Sequence, residues 1–124
     1  MRLLLDTHAL ISWAAGRPIA DDAAAAITSP DNAVLVSAVT VWEAEIKIAI
    51  GKLRIGFDIE TAPAEHGFEP LTITFAHAAR AGRLPPHHRD PWDRMLVAQA
   101  QLEGLTIVTR DPAFRPYRVP LLAA

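Results

Sequence analysis

Four acidic residues stand where short apolar runs give way to helical patterns: Asp6, Glu43, Asp93 and Asp111. Asp6 closes the run Leu3-Leu4-Leu5, and Asp111 lies just past Leu105-Thr106-Ile107-Val108-Thr109. Glu43 falls in the second turn of the helical pattern that follows Ala33-Val34-Leu35-Val36, and Asp93 in the first turn of the pattern opened by Asp90-Pro91. Carboxylates gathered in one place repel one another and take up protons unless a cation neutralises them. The chain has no cysteine, so the available ligands are oxygens, which favour a hard ion such as Mg²⁺, with Mn²⁺ also suited. Such ions activate water and offset charge on a phosphoryl group during in-line displacement, so the chemistry indicated is phosphodiester hydrolysis.

Two other aspartate-centred chemistries fit poorly. A phosphatase built on Asp-x-Asp wants an acid two residues after Asp6, where His8 stands, and a phospho-accepting receiver domain wants a late lysine, whereas the last is Lys52. Each acid also has a local structural reading. Thr40-Val41-Trp42-Glu43 has the pattern of a capping box, and Asp93 stands in a similar relation to Asp90. Asp111 before Pro112 suits a turn, and Asp6 a helix start. It is their coincidence at several strand-to-helix junctions that points to a shared site.

Around these acids stand residues with two readings apiece. Ser37 and Thr109 at strand ends either hold a metal-bound water or phosphate oxygen or cap helices, capping being the stronger account for Ser37; Thr7 is similarly placed to cap the first helix. Arg94 and Arg110 flank two of the acids and either contact substrate phosphates or pair with those acids. His8 is read as structural, and Trp42 and Trp92 as core.

The elements that must position this set follow from the apolar pattern. Buried strands are expected at Arg2 to Leu5, Ala33 to Val36 and Leu105 to Thr109, with a third in chain order within Phe68 to Ile73, interrupted at Pro70, and a short final one at Val119 to Leu122. Helices are expected from Thr7 to about Ala15, from Ile19 to Ile27, from about Thr40 to the stop at Gly51, over Asp58 to His66, over Phe75 to Ala81 before Gly82, and from Pro91 to Gly104. Alternating strands and helices imply a three-layer α/β/α sandwich on a central, mostly parallel sheet of four to five strands. In such sheets ligands sit beyond the carboxyl ends of the strands, which is where Asp6 and Asp111 fall.

The 124 residues are expected to form a single domain, with 51% apolar and 21% charged residues placing it among globular chains. No apolar run approaches a membrane span, and the early acid after Met1-Arg2-Leu3-Leu4-Leu5 argues against a signal peptide, so a cytoplasmic protein is expected. The net charge of −2 hides an asymmetry: residues 1 to 74 hold five Lys/Arg against ten acids, residues 75 to 124 seven Arg against four. The positive half suits a polyanionic partner only modestly.

Leu3-Leu4-Leu5-Asp6-Thr7-His8-Ala9-Leu10, Val36-Ser37-Ala38-Val39-Thr40-Val41-Trp42-Glu43, His88-Arg89-Asp90-Pro91-Trp92-Asp93-Arg94-Met95-Leu96-Val97-Ala98-Gln99-Ala100 and Val108-Thr109-Arg110-Asp111 together resemble a PIN-domain protein, with the order and spacing of VapC-type toxins. The resemblance covers essentially the whole chain, and the third segment is its most specific part. It implies a PIN-like α/β/α fold and a Mg²⁺- or Mn²⁺-dependent endoribonuclease, the toxin of a VapBC-type pair. The family's core acids fall on Asp6, Glu43 and Asp93, and a less uniform acidic position on Asp111. Asp90 belongs to the Asp-Pro-aromatic-Asp variant of the motif, and Glu45 departs from it, standing where relatives often carry an apolar residue. The implied partners are an RNA substrate, a second copy in a homodimer, and a cognate VapB-like antitoxin with a DNA-binding part. Leu10, Ile11 and Trp13 serve either as partner surface or as core. The rival reading is a non-catalytic PIN-like module that binds a partner or RNA without cutting it.

Overall fold

A computed structural model describes residues 1–124. Its elements run β1 (Arg2–Leu5), α1 (Thr7–Ala14), α2 (Asp21–Thr28), β2 (Ala33–Ser37), α3 (Ala38–Ala49), α4 (Ala62–Glu65), β3 (Glu69–Leu71), α5 (Phe75–Arg83), α6 (Pro91–Glu103), β4 (Thr106–Thr109) and β5 (Leu121–Ala123), with a 3-10 turn at Pro112–Phe114. The strands form one sheet in the order β3-β2-β1-β4-β5, and every pairing is parallel. The expected α/β/α sandwich is therefore present, with five strands. β1 lies at the centre, between β2 and β4, where the winding of the chain reverses. Pro70 is accommodated because β3 is an edge strand, so its missing N–H breaks no ladder within the sheet.

The pleat of β1 divides the core. Leu3 and Leu5 face a cluster with Ala9, Leu10, Ile11, Ala23, Ile27, Val34 and Val36, under α1 and α2. Leu4 faces the other way, with Leu35, Ile107, Leu96, Val97, Ala100 and Phe114, under α6. All three leucines are fully buried, which is why this strand reads as an uninterrupted apolar run rather than an alternating one. Leu10 and Ile11 are thereby assigned to core. α3 gives Ala44 to the first cluster and Val39 to the second, and it packs against both α1 and α6. That bridging position carries Glu43 toward both faces at the carboxyl edge.

Several helix ends differ from the sequence expectation. Asp6, rather than Thr7, caps α1, its Oδ1 accepting the Ala9 N–H at 2.8 Å. α3 starts at Ala38 with Ser37 as its cap, so Thr40-Val41-Trp42-Glu43 is interior helix and the capping box does not form. The expected helix over Asp58 to His66 shrinks to the four residues of α4. α5 runs through Gly82 to Arg83 because its helical backbone there needs no positive φ. At Gly104 the φ is 68°, a left-handed turn that side chains disfavour, and the helix stops there as expected.

Candidate active site

Asp6 and Glu43 are buried at the carboxyl edge, while Asp93 and Asp111 are half-buried. Asp93 and Asp111 approach His88 closely enough that one ligand atom from each lies within 4.8 Å of the other two. Asp6 feels the negative charge of Asp111, and Asp93 that of Glu43, so the four acids form a continuous electrostatic group. The adjacency of β1 and β4 brings Asp6 and Asp111 to one edge of the sheet, and α3 packs against both α1 and α6.

Each acid has its own hydrogen-bond partners. The Thr7 hydroxyl donates to Glu43 Oε1 at 2.6 Å, and Lys47, one turn along α3, forms an ion pair with Oε2. Glu43 is thus a buried carboxyl with a charged and a neutral donor. Lys47 is in turn held above its usual pKa by its bond to Glu43, with the charges of Glu43, Asp90 and Asp93 adding to the effect. Burial raises the Asp6 pKa, against the opposing hydrogen bonds from Thr109 and the Ala9 amide, while Asp111 adds repulsion.

Asp93 is the most perturbed. Burial, then the charge of Asp90, then that of Glu43 push its pKa to about 7, with the charge and hydrogen bond of His88 pulling the other way. Asp90 Oδ1 accepts from the Trp92 and Asp93 amides at 2.8 and 3.3 Å, so Asp90 caps α6 through its carboxylate as the Asp-Pro pair predicts. The Asp93 side chain is free of the reciprocal capping bond that its spacing allowed. Its Oδ2 lies 2.7 Å from His88 Nε2 instead.

His88 is the residue that sequence reading missed as part of the site. It is carried by the segment Leu84 to His88, which two side chains clamp. The Tyr117 hydroxyl donates to the Pro85 carbonyl and accepts the His88 N–H, both at 2.9 Å. Arg94 donates to the carbonyls of Ala81 and Leu84 at 2.9 Å and of Pro85 and His88 at 3.1 and 3.3 Å. Arg94 therefore binds backbone carbonyls, a correction to both readings of it as a phosphate contact or as a partner of the neighbouring acids.

Other supporting residues are placed as follows. Ser37 is fully buried and accepts the Val39 N–H at 3.1 Å, a capping role. Thr109 Oγ1 accepts the Asp111 N–H at 3.0 Å, and Asp111 Oδ1 accepts from Ala113 at 2.9 Å, fixing the turn that carries Arg110. Arg110 is exposed. His8 is exposed rather than structural, and Trp42 is 57% exposed, not core, with its ring edge-to-face on Trp92 at 4.6 Å.

The donor set suits a divalent cation. Carboxylate oxygens predominate, with the His88 imidazole beside them, and Asp93 is perturbed first by burial and then by the charge of Asp90. A parallel α/β fold with acids at the crevice beside its central strand places them where such sheets bind ligands. The chain belongs to the PIN domain family, whose model matches residues 3–119. PIN domains are generally nucleases. Among solved structures it is similar to VapBC2 from Rickettsia felis bound to a DNA fragment from its promoter, at 14% identity, 99% and 98% coverage of the two chains and a TM-score of 0.74. It is also similar to a toxin–antitoxin complex from Klebsiella pneumoniae, at 28% identity, 90% and 89% coverage and a TM-score of 0.64. FitAcB from Neisseria gonorrhoeae matches at 24% identity, with 97% and 96% coverage and a TM-score of 0.64. A comparison with curated proteins finds no match. No helix is long and apolar enough to cross a membrane.

Proposed function

We propose that this PIN domain is the toxin of a VapBC-type toxin–antitoxin pair and acts in the cytoplasm as a Mg²⁺- or Mn²⁺-dependent endoribonuclease. The observation that carries the reading is the convergence of Asp93, Asp111 and His88 within 4.8 Å beside the buried Asp6 and Glu43. Asp6, Glu43, Asp93 and Asp111 hold the ion directly or through water. The ion supplies Lewis acidity that lowers the pKa of a water and offsets charge on the scissile phosphate. The chain's own residues keep the acids ready for it. Thr7 and Lys47 hold the two oxygens of Glu43, His88 holds one oxygen of Asp93, and Asp90 fixes the first turn of α6 that presents Asp93. Purified protein should cleave total RNA with Mn²⁺, stop with EDTA, and lose cleavage in Asp93→Asn while remaining folded. RNA binding without cleavage, and no Mn²⁺ uptake by calorimetry, would instead favour the non-catalytic module.

The partners follow the same reading. A cognate antitoxin with a DNA-binding part is supported by the complexes among the similar structures, one of which is bound to promoter DNA. The homodimer is supported by an exposed apolar face. Trp42, Ile46 and Ile50 recur at helical spacing along α3, and Phe75, 97% exposed, projects beside Ile73. The same face holds an apolar cavity of about 300 Å³ lined by Val39, Trp42, Ile73, Trp92 and Met95 among others. An exposed apolar stripe bordering an apolar hollow suits an interface between two copies.

A further inference from the structure

On the other side of Asp111 the carboxyl edge opens into a cavity of about 580 Å³ lined by His8, Ser12, Arg17, Pro18, Arg110 and Asp111, none of them hydrophobic. Two guanidinium groups and an imidazole gather here in a chain whose net charge is −2. All three are exposed, and neither arginine takes part in any of the chain's ion pairs.

Their placement is determined by the backbone. α1 ends with Gly16 at φ 69°, the Gly16 N–H donating to Trp13 O at 3.2 Å and the Arg17 N–H to Ser12 O at 2.8 Å. This paired bond pattern is a Schellman motif, and it turns Arg17 back beside the last turn of the helix, where Pro18 stiffens it. Arg110 leaves β4 immediately before Asp111, whose turn is fixed by its own side chain and by Thr109. His8, in the first turn of α1, is near enough to Asp6 for its charge to favour the Asp6 carboxylate.

A polyanion approaching the acid cluster needs cations that are not already engaged. Lys47 is paired with Glu43, and Arg94 is bound to four carbonyls. Arg17 and Arg110 are available, and Asp111 borders both this cavity and the Asp93–His88 group. Resting on the ribonuclease reading, we propose that His8, Arg17 and Arg110 form a subsite for a backbone phosphate of the RNA strand, next to the phosphate that is cut. The forked guanidinium groups of Arg17 and Arg110 suit phosphate oxygens. The subsite therefore sets register and affinity and reads no sequence.

The test measures binding of a fluorescein-labelled single-stranded RNA by anisotropy, in EDTA so that nothing is cut, over a range of NaCl concentrations. Arg17→Gln with Arg110→Gln should raise Kd about tenfold and flatten the dependence of log K on log salt by about 0.7 for each phosphate no longer neutralised. Arg17→Lys should keep most of the slope, and Arg118→Gln, an exposed charge outside the cavity, should change neither quantity. Unchanged Mn²⁺ affinity in the double variant shows that the acid cluster is intact. Wild-type Kd and slope in the double variant, with cleavage in Mn²⁺ preserved, would overturn the subsite and leave the nuclease reading standing. If the wild-type protein neither binds nor cuts RNA, the nuclease reading fails and the subsite with it.

Discussion

His88 Nε2 lies 2.7 Å from Asp93 Oδ2, and the ring's orientation is set from its other side. The Asp90 N–H reaches His88 Nδ1 at 3.3 Å, which in the neutral ring makes Nδ1 the acceptor and Nε2–H the donor to Asp93. A histidine in this relation orients a metal-binding carboxylate rather than replacing it. His88→Ala should weaken Mn²⁺ binding by about 10- to 100-fold, and His88→Gln, which retains an N–H donor, should recover part of that. Calorimetric titration of the three proteins decides the matter, and equal affinities in all of them would exclude the role.

Asp93 makes metal uptake depend on pH. Its carboxyl must lose a proton to bind a cation, and its pKa is about 7. Mn²⁺ affinity should fall by up to about tenfold per unit below pH 7 and level off above it. The sign for stability is opposite. A carboxyl raised above its unfolded value of 3.8 favours the fold when protonated, and that contribution is lost as pH rises through about 7. Metal-free protein should therefore melt at a lower temperature at pH 8 than at pH 6, with added Mn²⁺ raising the midpoint more at pH 8. A larger Mn²⁺ shift at pH 6 would contradict this.

Asp90 separates two effects that one residue combines. Asp90→Asn keeps a good N-cap but removes the charge that repels the Asp93 carboxylate, so the pH midpoint of Mn²⁺ binding should move down at little cost in stability. Asp90→Ala should move the midpoint similarly and also lose about 1 kcal/mol in urea unfolding. Identical midpoints in wild type and both variants would show that Asp90 acts only as a cap.

Arg94→Ala removes a cation shared by four carbonyls of the segment that carries His88. Denaturant unfolding should show a loss on the order of 3 kcal/mol, since bonds to charged donors contribute about 1.5–3 kcal/mol each and are not additive. Arg94→Lys should recover little, because one ammonium cannot span the four acceptors. If Arg94→Ala left stability unchanged and weakened only RNA binding, the clamp would be the wrong account.

The α3 face gives a test by size. Trp42→Glu places a charge at the centre of the exposed stripe, and sedimentation should show a dimer for wild type and a monomer for the variant. A monomeric wild-type protein would remove the dimer from the reading.

How much of this was legible in the sequence depends on the range of the interaction. The run Arg2–Leu5, the Asp90-Pro91 start and the Gly104 stop are local signals, and all three stand where expected. Strand alternation put Asp6 and Asp111 at the carboxyl edge, while the places of Glu43 and Asp93 depended on how their helices pack. What escaped was tertiary. Nothing near Arg94 in sequence announces that the chain from Ala81 to His88 will fold its carbonyls around a guanidinium. His88 stands in a Pro/His loop with no periodicity to mark it, though its place five residues before Asp93 is the one available hint. Trp42 reads as core because the helical pattern records apolar spacing without recording whether a neighbour covers it. The caps at Asp6 and Ser37 win over Thr7 and Thr40 because each is the last extended residue of its strand, where the side chain can turn back onto the first helical amides.

The central ladder has a kinetic consequence. Leu3 pairs with Thr106, and Leu5 with Val108, across about a hundred residues of chain. Closing so distant a pair costs loop entropy before any contact returns it, and folds dominated by such pairs form slowly. Asp6 leaves the ribosome long before Asp93 and Asp111, yet its carboxylate faces its partners only after β4 slots in beside β1. The acid cluster is thus assembled only when the first strand gains the fourth as a neighbour.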